Sequence, residues 1–150
     1  MATMNLSEKG RFVPPPTLPE HAQVVSTSLA SWEGVIARMH WHLGDDTVVD
    51  GADFYVGDAE LGHIHLDGTA HVAAERALRD SLIAARLAEP FRWSDDFVVV
   101  RAKREGEIAH ALWIFELRYD ALRGVSTDTL LARVAARSPA TVERARDRAY

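Results

Sequence analysis

The sequence predicts an α+β domain in which an antiparallel β-meander packs against two main helices, with additional helices at the C-terminus. Three observations predict this class. Residues 35–66 are rich in short runs that alternate apolar and polar side chains, as strands do. The apolar spacing changes to a helical period near residue 72, and a strand and a second long helix then follow. Strands first, then helix, strand and helix, is the element order of an α+β domain.

The length and composition indicate one globular domain with a segment on either side. The 150 residues are enough for a hydrophobic core without disulfide or metal staples. We expect a flexible, proline-rich tail over residues 1–18, because Pro14, Pro15 and Pro16 disfavour regular hydrogen bonding. The α+β domain is expected over 19–125, and a C-terminal helical extension over 126–150.

Composition also excludes several classes of function. The chain has no cysteine, which excludes disulfides, thiolate metal sites and a cysteine nucleophile. A net charge of -5 without a basic stripe argues against nucleic-acid binding. No apolar run approaches the roughly 20 residues of a membrane span, and the N-terminus lacks a signal-peptide core. We therefore expect a cytoplasmic protein that binds neither membranes nor nucleic acid. Phosphate-loop, GxSxG and HExxH motifs are missing as well.

The first half of the chain is expected to be mostly strands. A short helix over 19–31 precedes them, since proline suits a first helical turn. Turn residues at 44–46, 50–51 and 57–58 divide the next segment. The four expected strands are 35–43, 47–49, 53–56 and 61–66.

The second half is expected to be mostly helical. One helix covers 72–88, a strand covers 96–103, and a long helix covers 107–122. Further helices are expected to begin at Ser126 or Thr127 and at Ser138.

The helix over 107–122 is apolar nearly all round, because Trp113 and Leu117 fall outside its main apolar stripe. Something must cover that second face. The C-terminal segment, with Leu130 and Val134, is one candidate. A homodimer through the Trp113 and Leu117 face is the other.

The segment Glu-Leu-Gly-His-Ile-His-Leu-Asp-Gly-Thr-Ala-His, residues 60–71, holds three of the seven histidines. His63 and His65 alternate, so that on a strand both imidazoles point to the same face. Asp67 and Gly68 form a tight-turn signal, after which the chain would bring His71 back towards the pair. If the protein has a chemical centre, we expect it here.

Three interpretations of this cluster are open. His63, His65 and His71 form a metal site, to which Asp67 or Glu60 adds a carboxylate. Alternatively, the imidazoles form a metal-free pocket that transfers protons and holds a ligand. In the third interpretation they line a solvated sheet face.

Other residues are candidate additions to this cluster. His40 and His42 make a second His-x-His, which would add two imidazoles to the same wall if the strands are neighbours. Arg38 shares their face, which favours a solvated surface instead. Trp93 lies in a loop-like stretch, where an aromatic side chain often faces a ligand. Glycines 62 and 68 flank the His pair and allow a bulge or close backbone approach.

Several of these motifs, in this order, resemble the small bacterial and fungal luciferase family, or luciferase domain. They run from Trp32-x-Gly34, through Gly62-His63-x-His65 with Asp67-Gly68, to a helix that ends near Pro90 and a last helix bearing Tyr119. Phe91 stands where many members have a histidine, and residues 94–97 depart from a Ser-Gly-Trp. For the fungal light-emitting members, the resemblance implies oxygenation of a small pyrone without an organic cofactor.

The sequence therefore predicts a small-molecule pocket, for an aromatic or pyrone-like ligand, centred on the His-x-His strand. His63 and His65 are the candidate catalytic residues: one would deprotonate an enol or phenol and the other would donate to the oxyanion. We predict no cofactor but keep a divalent metal at His63, His65 and His71 open. A non-catalytic binding or interaction module and a metal-dependent enzyme are the alternatives. The candidate ligand-binding residues are His71, Asp67, Gly62, Gly68, Glu60, His40, His42 and Trp93.

Overall fold

The computed structural model describes residues 14–42 and 44–137, which form four α-helices and one six-stranded sheet. The helices are α1 (Glu20–Ala30), α2 (Arg76–Ala84), α3 (Ile108–Leu122) and α4 (Thr127–Arg137). The strands are β1 (Val35–His42), β2 (Asp45–Val56), β3 (Ala59–His65), β4 (Thr69–Ala73), β5 (Glu89–Pro90) and β6 (Phe97–Arg101). A 3-10 turn, Glu105–Glu107, leads into α3. The predicted α+β class is confirmed.

The sheet has the order β1-β2-β3-β4-β6-β5, and all neighbouring strands are antiparallel. Strands β1 to β4 form a meander, because each is joined to the next by a short turn. Helix α2 then connects the meander to β5 and β6 at the far edge. This arrangement brings segments from both halves of the chain onto the same sheet surface.

One face of the sheet packs against helices α1 and α3 and forms the core. Its strand residues are almost inaccessible to solvent, and the ring of Phe54 meets that of Phe115 on α3 edge-on, with centroids 6.3 Å apart. Alternate strand residues point to the other face, which the helices do not cover. The buried strand residues of this core are Ala52, Phe54, Leu61, Ile64, Ala70, Val72, Val98 and Val100.

The second face of α3 is covered within the chain. Leu117 is only 1% exposed, and the guanidinium of Arg137 on α4 lies 4.5 Å from the centre of the Trp113 ring. Leu130 and Val134 of α4 are buried in the same core. The second apolar face of this helix, for which a homodimer was one possible cover, therefore packs against α4 of the same chain. Among the described residues, no helix has the length and apolar character needed to cross a membrane.

The strand β2 differs from prediction, because the expected turn at residues 50–51 lies inside one continuous strand. A Cβ atom on Gly51 would lie 1.9 Å from the carbonyl oxygen of Ile64 on β3. The glycine therefore allows two strands to approach closely, rather than making a turn. The sequence signal is the same in both cases, which is why the pattern predicts two separate strands.

The helix expected over 72–88 also differs. Its first two residues belong to β4, the helix α2 is shorter, and Glu89–Pro90 forms β5. Arg86 adopts a left-handed conformation, with φ of 59°, and the Leu87 N–H donates to the carbonyl of Leu82. This cap, not Pro90, ends the helical segment. The helix expected from Ser138 lies outside the described residues.

Candidate functional site

The strand register brings four histidines together on the face of the sheet that the helices leave uncovered. His63 on β3 pairs with Asp53 on β2 and with His71 on β4. Two residues further along, Gly51 on β2 pairs with both His40 of β1 and His65 of β3. Because glycine has no side chain, the His40 and His65 rings approach across it, with centroids 5.1 Å apart.

A bulge in β3 adds a carboxylate to this group. The pairing with β2 is shifted by one residue at Leu61, so that Glu60 comes to the side of the sheet that carries His63. A Cβ on Gly62 would lie 2.5 Å from the carbonyl oxygen of His71 and 2.8 Å from the Phe115 ring. Gly62 therefore has a structural role: it lets the strand bend close to β4 and the core.

The ring nitrogens of three histidines meet at one point. His63 Nε2 lies 2.9 Å from His71 Nδ1, and His65 Nε2 lies 3.3 Å from the same atom. His40 lies beside them and stacks face to face on His63, with ring centroids 4.2 Å apart. We call His40, His63, His65 and His71 the histidine cluster.

Three carboxylates hold the Nδ1 atoms of three members of the cluster. His63 Nδ1 is 3.0 Å from Glu60, His65 Nδ1 is 2.8 Å from Asp50, and His40 Nδ1 is 2.7 Å from Asp53. These carboxylates fix the orientation of the rings. They also favour the tautomer that carries its proton on Nδ1.

Burial and crowding set the charge of the cluster. Burial, together with the charge of neighbouring imidazoles, lowers the pKa of His63 and that of His71 to about 3. Burial acts in the same direction on His40, but its hydrogen bond to Asp53 and the nearby carboxylates outweigh it and raise its pKa. Burial also raises the pKa of Glu60. At neutral pH, His63 and His71 are therefore uncharged.

The cluster forms one wall of a cavity of about 710 Å³. Aromatic rings form another wall, and Phe91 lies against His71, with ring centroids 4.3 Å apart. Phe97 approaches His63 in the same way, at 5.8 Å. The remaining aromatic lining residues are Trp41, Tyr55 and Trp93.

Arg38 brings a positive charge to the cavity. Its guanidinium lies 4.6 Å from the centre of the Tyr55 ring, and its Nε atom is buried with no hydrogen-bond partner among the described residues. Burial and the charges of Asp53 and Glu60 raise the pKa of Tyr55 to about 12, so the phenol keeps its proton. A cation and a neutral phenol therefore lie side by side in the cavity.

Most of the predicted site residues line this cavity. His63, His65, His71, Glu60 and His40 converge at its wall. His42 also lines the cavity but is exposed, and its Nδ1 accepts from the Gly44 N–H. Trp93 lies at the cavity with 75% of its surface exposed.

Two predicted residues shape the hairpin instead. The carboxylate of Asp67 accepts from the Thr69 N–H at 2.9 Å, and Gly68 packs against Ala102 and Lys103. Neither lines the cavity. Both keep β3 and β4 in the register that pairs His63 with His71.

The sequence pattern did not predict that Asp50 and Asp53 lie beside the cluster. Asp50 and Asp53 have the sequence pattern of turn and strand-start residues, and only the register of β2 reveals them as histidine partners. The resemblance had singled out Phe91, because it follows Pro90 where many luciferase-family members have a histidine. The structure places it directly against His71.

A family model matches the middle of the chain. Residues 58–118, which are 61 of the 150 residues, match the model of the Luciferase domain family. The match confirms the resemblance to the luciferase-domain family, and it contains three members of the histidine cluster. No curated protein and no solved structure matches the chain.

Proposed function

We propose that the protein binds a small aromatic or pyrone-like molecule between the histidine cluster and the aromatic wall. The observation that supports this most is that flat apolar rings and convergent polar groups share one cavity. Its volume, about 710 Å³, lies in the range of about 300–1,000 Å³ that is usual for small-molecule sites. Rings such as Phe91 and Phe97 favour a planar ligand, which they contact by offset or edge-on packing.

The ligand carries an acidic group in this proposal. Arg38 has a buried N–H without a protein acceptor among the described residues, and such a group is costly unless something accepts from it. An enolate or carboxylate oxygen would accept from the buried N–H of Arg38. The preferred ligand class is therefore an acidic enol or phenol, of which a 4-hydroxypyrone is a simple example.

In the enzymatic version, one imidazole removes a proton from the bound enol. His40 suits this role because Asp53 holds its Nδ1, which leaves Nε2 as the acceptor. The electron pair of the resulting carbanion forms a C–O bond with molecular oxygen. The peroxide anion then takes the proton back from His40, which gives a hydroperoxide. His63 and His65 remain predicted catalytic residues, which bind and orient the oxygen-bearing intermediate.

Binding is tested with 4-hydroxy-6-methyl-2-pyrone and the tryptophan fluorescence of the full chain. We expect saturable quenching, and at least about tenfold weaker binding in Arg38→Gln, because a charged hydrogen bond is lost. The matched control is Arg101→Gln, which removes an exposed arginine paired with Glu89 outside the cavity. No saturable quenching, or equal weakening by both variants, would contradict the proposal.

Ligand binding without catalysis is the second candidate function. It is favoured by Phe91, which occupies the place of the family histidine and packs on His71. Oxygen consumption in the presence of the pyrone separates the two functions. Uptake that His40→Ala abolishes supports the enzyme, whereas binding without uptake supports a binding protein.

A further inference from the structure

We propose that His63 Nδ1 and the carboxylates of Asp53 and Glu60 bind one divalent metal ion in the wall of the cavity. We call these three residues the carboxylate–histidine site. The inference goes beyond the proposed function and does not depend on it, because the ion needs only these three side chains. The site differs from the one that the sequence left open, which included His65 and His71.

Ring geometry decides which residues can share an ion. Among the described residues, two groups of three side chains have donor atoms that all lie within 4.8 Å of one another. The groups are His40, His63 and His65, and Asp53, Glu60 and His63. The set of His63, His65 and His71 is not one of them. In the first group, the His40 and His63 rings stack 4.2 Å apart at an angle of 7°. Because the lone pair of a ring nitrogen lies in the ring plane, two stacked rings cannot both direct one at the same ion. The group with two carboxylates remains.

The strand register places the three side chains of this group together. Asp53 on β2 pairs directly with His63 on β3, so both side chains project from the same face. The bulge at Leu61 turns Glu60 to that face as well. The backbone therefore fixes the positions from which all three ligands reach the cavity wall.

The spacing of the donor atoms fits one ion after a small movement of Glu60. His63 Nδ1 lies 3.0 Å from the Glu60 carboxylate and 4.0 Å from that of Asp53. Ligand atoms about 2.0–2.2 Å from one ion are about 3 Å apart when adjacent and about 4 Å apart when opposite. The contact with Glu60 is a hydrogen bond, whose proton occupies the place that the ion would take. A swing of the Glu60 side chain, which is 29% exposed, provides the extra room.

The charges around the site favour a cation. Asp53 and Glu60 each bring a carboxylate to a wall where their side chains are only 15% and 29% exposed. Burial raises the pKa of Glu60, because its charged form loses hydration there. Burial also lowers the pKa of His63 to about 3, so this ring is uncharged at neutral pH and does not repel an ion. A divalent ion would balance the two carboxylates.

Neighbouring histidines would hold two of the ligands in place. His40 Nδ1 donates to Asp53 at 2.7 Å. His63 Nε2 lies 2.9 Å from His71 Nδ1, which can accept the N–H that remains on His63 when an ion occupies Nδ1. Such outer partners are typical of metal-binding side chains. All three ligands line the cavity, so water or a bound molecule can reach the ion.

The donor set indicates which ions bind. Carboxylates suit manganese and magnesium, whereas an imidazole favours transition metals such as iron and zinc. One imidazole with two carboxylates therefore favours Mn²⁺, Fe²⁺ or Zn²⁺ over Mg²⁺. We choose Mn²⁺ as the probe, because the sharp electron paramagnetic resonance signal of the free ion broadens when it binds.

Titration of Mn²⁺ into the full chain, purified without a histidine tag and treated with a chelator, is the direct test. We expect one equivalent to bind. Asp53→Asn and Glu60→Gln keep the shape of the side chain but remove a charged ligand, so each should weaken binding by at least about tenfold. The matched control is Asp95→Asn, which changes a carboxylate that is 81% exposed and pairs with Arg79 outside the cavity. Its affinity for Mn²⁺ should be that of the unchanged chain.

Electron spin echo spectroscopy of Mn²⁺ bound to the unchanged chain keeps the test valid if a variant does not fold. We expect the nitrogen modulation of one coordinated imidazole, from His63. Absence of stoichiometric binding, unchanged affinity in both folded variants, or a bound ion without nitrogen modulation would overturn the site. Quenching by the pyrone in chelator-treated protein tests the proposed function separately.

Discussion

The two faces of the sheet differ in nearly every respect, although the same strands build both. The helix-facing side presents aliphatic and aromatic residues that are almost fully buried. The opposite side presents imidazoles, carboxylates and one arginine around a cavity. Neighbouring residues divide between the faces, as Phe54 and Asp53 do on β2, and Ile64 and His63 on β3. Alternate positions of one backbone thus supply the buried core and the lining of the cavity.

Because alternate residues build the two faces, a substitution on one face should have only a limited effect on the other. Changes to the core should lower stability first and affect the site only through unfolding. Changes to the cavity should affect binding at little cost in stability. The exceptions should be the glycines, because they set the distance between strands that carry both faces.

The largest effect is expected in the core. Phe115→Ala removes a fully buried ring and should lower the free energy of unfolding by about 3–5 kcal/mol, measured by urea denaturation. The matched change on the cavity face, Phe91→Ala, should cost less than about 1.5 kcal/mol, because that ring is partly exposed. Equal losses of unfolding free energy in the two variants would contradict the difference between the faces.

A change at a strand contact should affect both faces. Gly51→Ala places a methyl group against the Ile64 carbonyl oxygen, in a backbone conformation that favours glycine. We expect a loss of about 3 kcal/mol from overpacking and backbone strain, together with weaker pyrone binding. Gly57→Ala is the control, since Gly57 has a positive φ but open space around it. It should cost about 1 kcal/mol and leave binding intact.

Acidification should lower the free energy of unfolding through the histidine cluster. The pKa of His63 is about 3 in the folded chain and about 6.5 when unfolded, so below pH 6.5 the unfolded state binds more protons. The stability of metal-free protein should therefore fall on acidification, by on the order of 2 kcal/mol at pH 5 from His63. His40, with its raised pKa, opposes this trend. Urea denaturation at pH 7 and pH 5 measures the change, and His63→Gln should reduce it. An unchanged pH dependence in that variant would contradict the account.

The smallest effect on stability is expected at the rim of the cavity. Trp93 is 75% exposed, so Trp93→Ala should change the free energy of unfolding by less than about 0.5 kcal/mol. Pyrone affinity, measured by calorimetry, should nevertheless fall severalfold as a ring contact is lost. A large loss of stability, with unchanged affinity, would place Trp93 in the core rather than at the site.

The sequence predicted the parts of this molecule that depend on local pattern. Helix α3 and strand β6 have clear periodicity, and the turn at Asp67-Gly68 correctly indicated a hairpin that returns His71 to His63 and His65. The resemblance to the luciferase-domain family included this segment among motifs that run from Trp32 to Tyr119. The helix, the strand and the hairpin all involve residues close together in the chain.

The rest depends on pairing between distant residues. The residues around Gly51 are the same whether it forms a turn or lies inside a strand that closely approaches its neighbour. The sequence pattern therefore predicts β2 as two separate strands. Asp50 and Asp53 become histidine partners only through the register of β2 with β1 and β3. The bulge at Leu61 turns Glu60 towards His63. No sequence motif around Leu61 predicts it.

Calorimetry with 4-hydroxy-6-methyl-2-pyrone tests the proposed binding cavity most directly, because it measures the affinity of the full chain for a planar acidic ligand. The account predicts saturable binding that is at least about tenfold weaker in Arg38→Gln and unchanged in Arg101→Gln, whose arginine pairs with Glu89 outside the cavity. Absence of saturable binding, or equal weakening in the two variants, would contradict it.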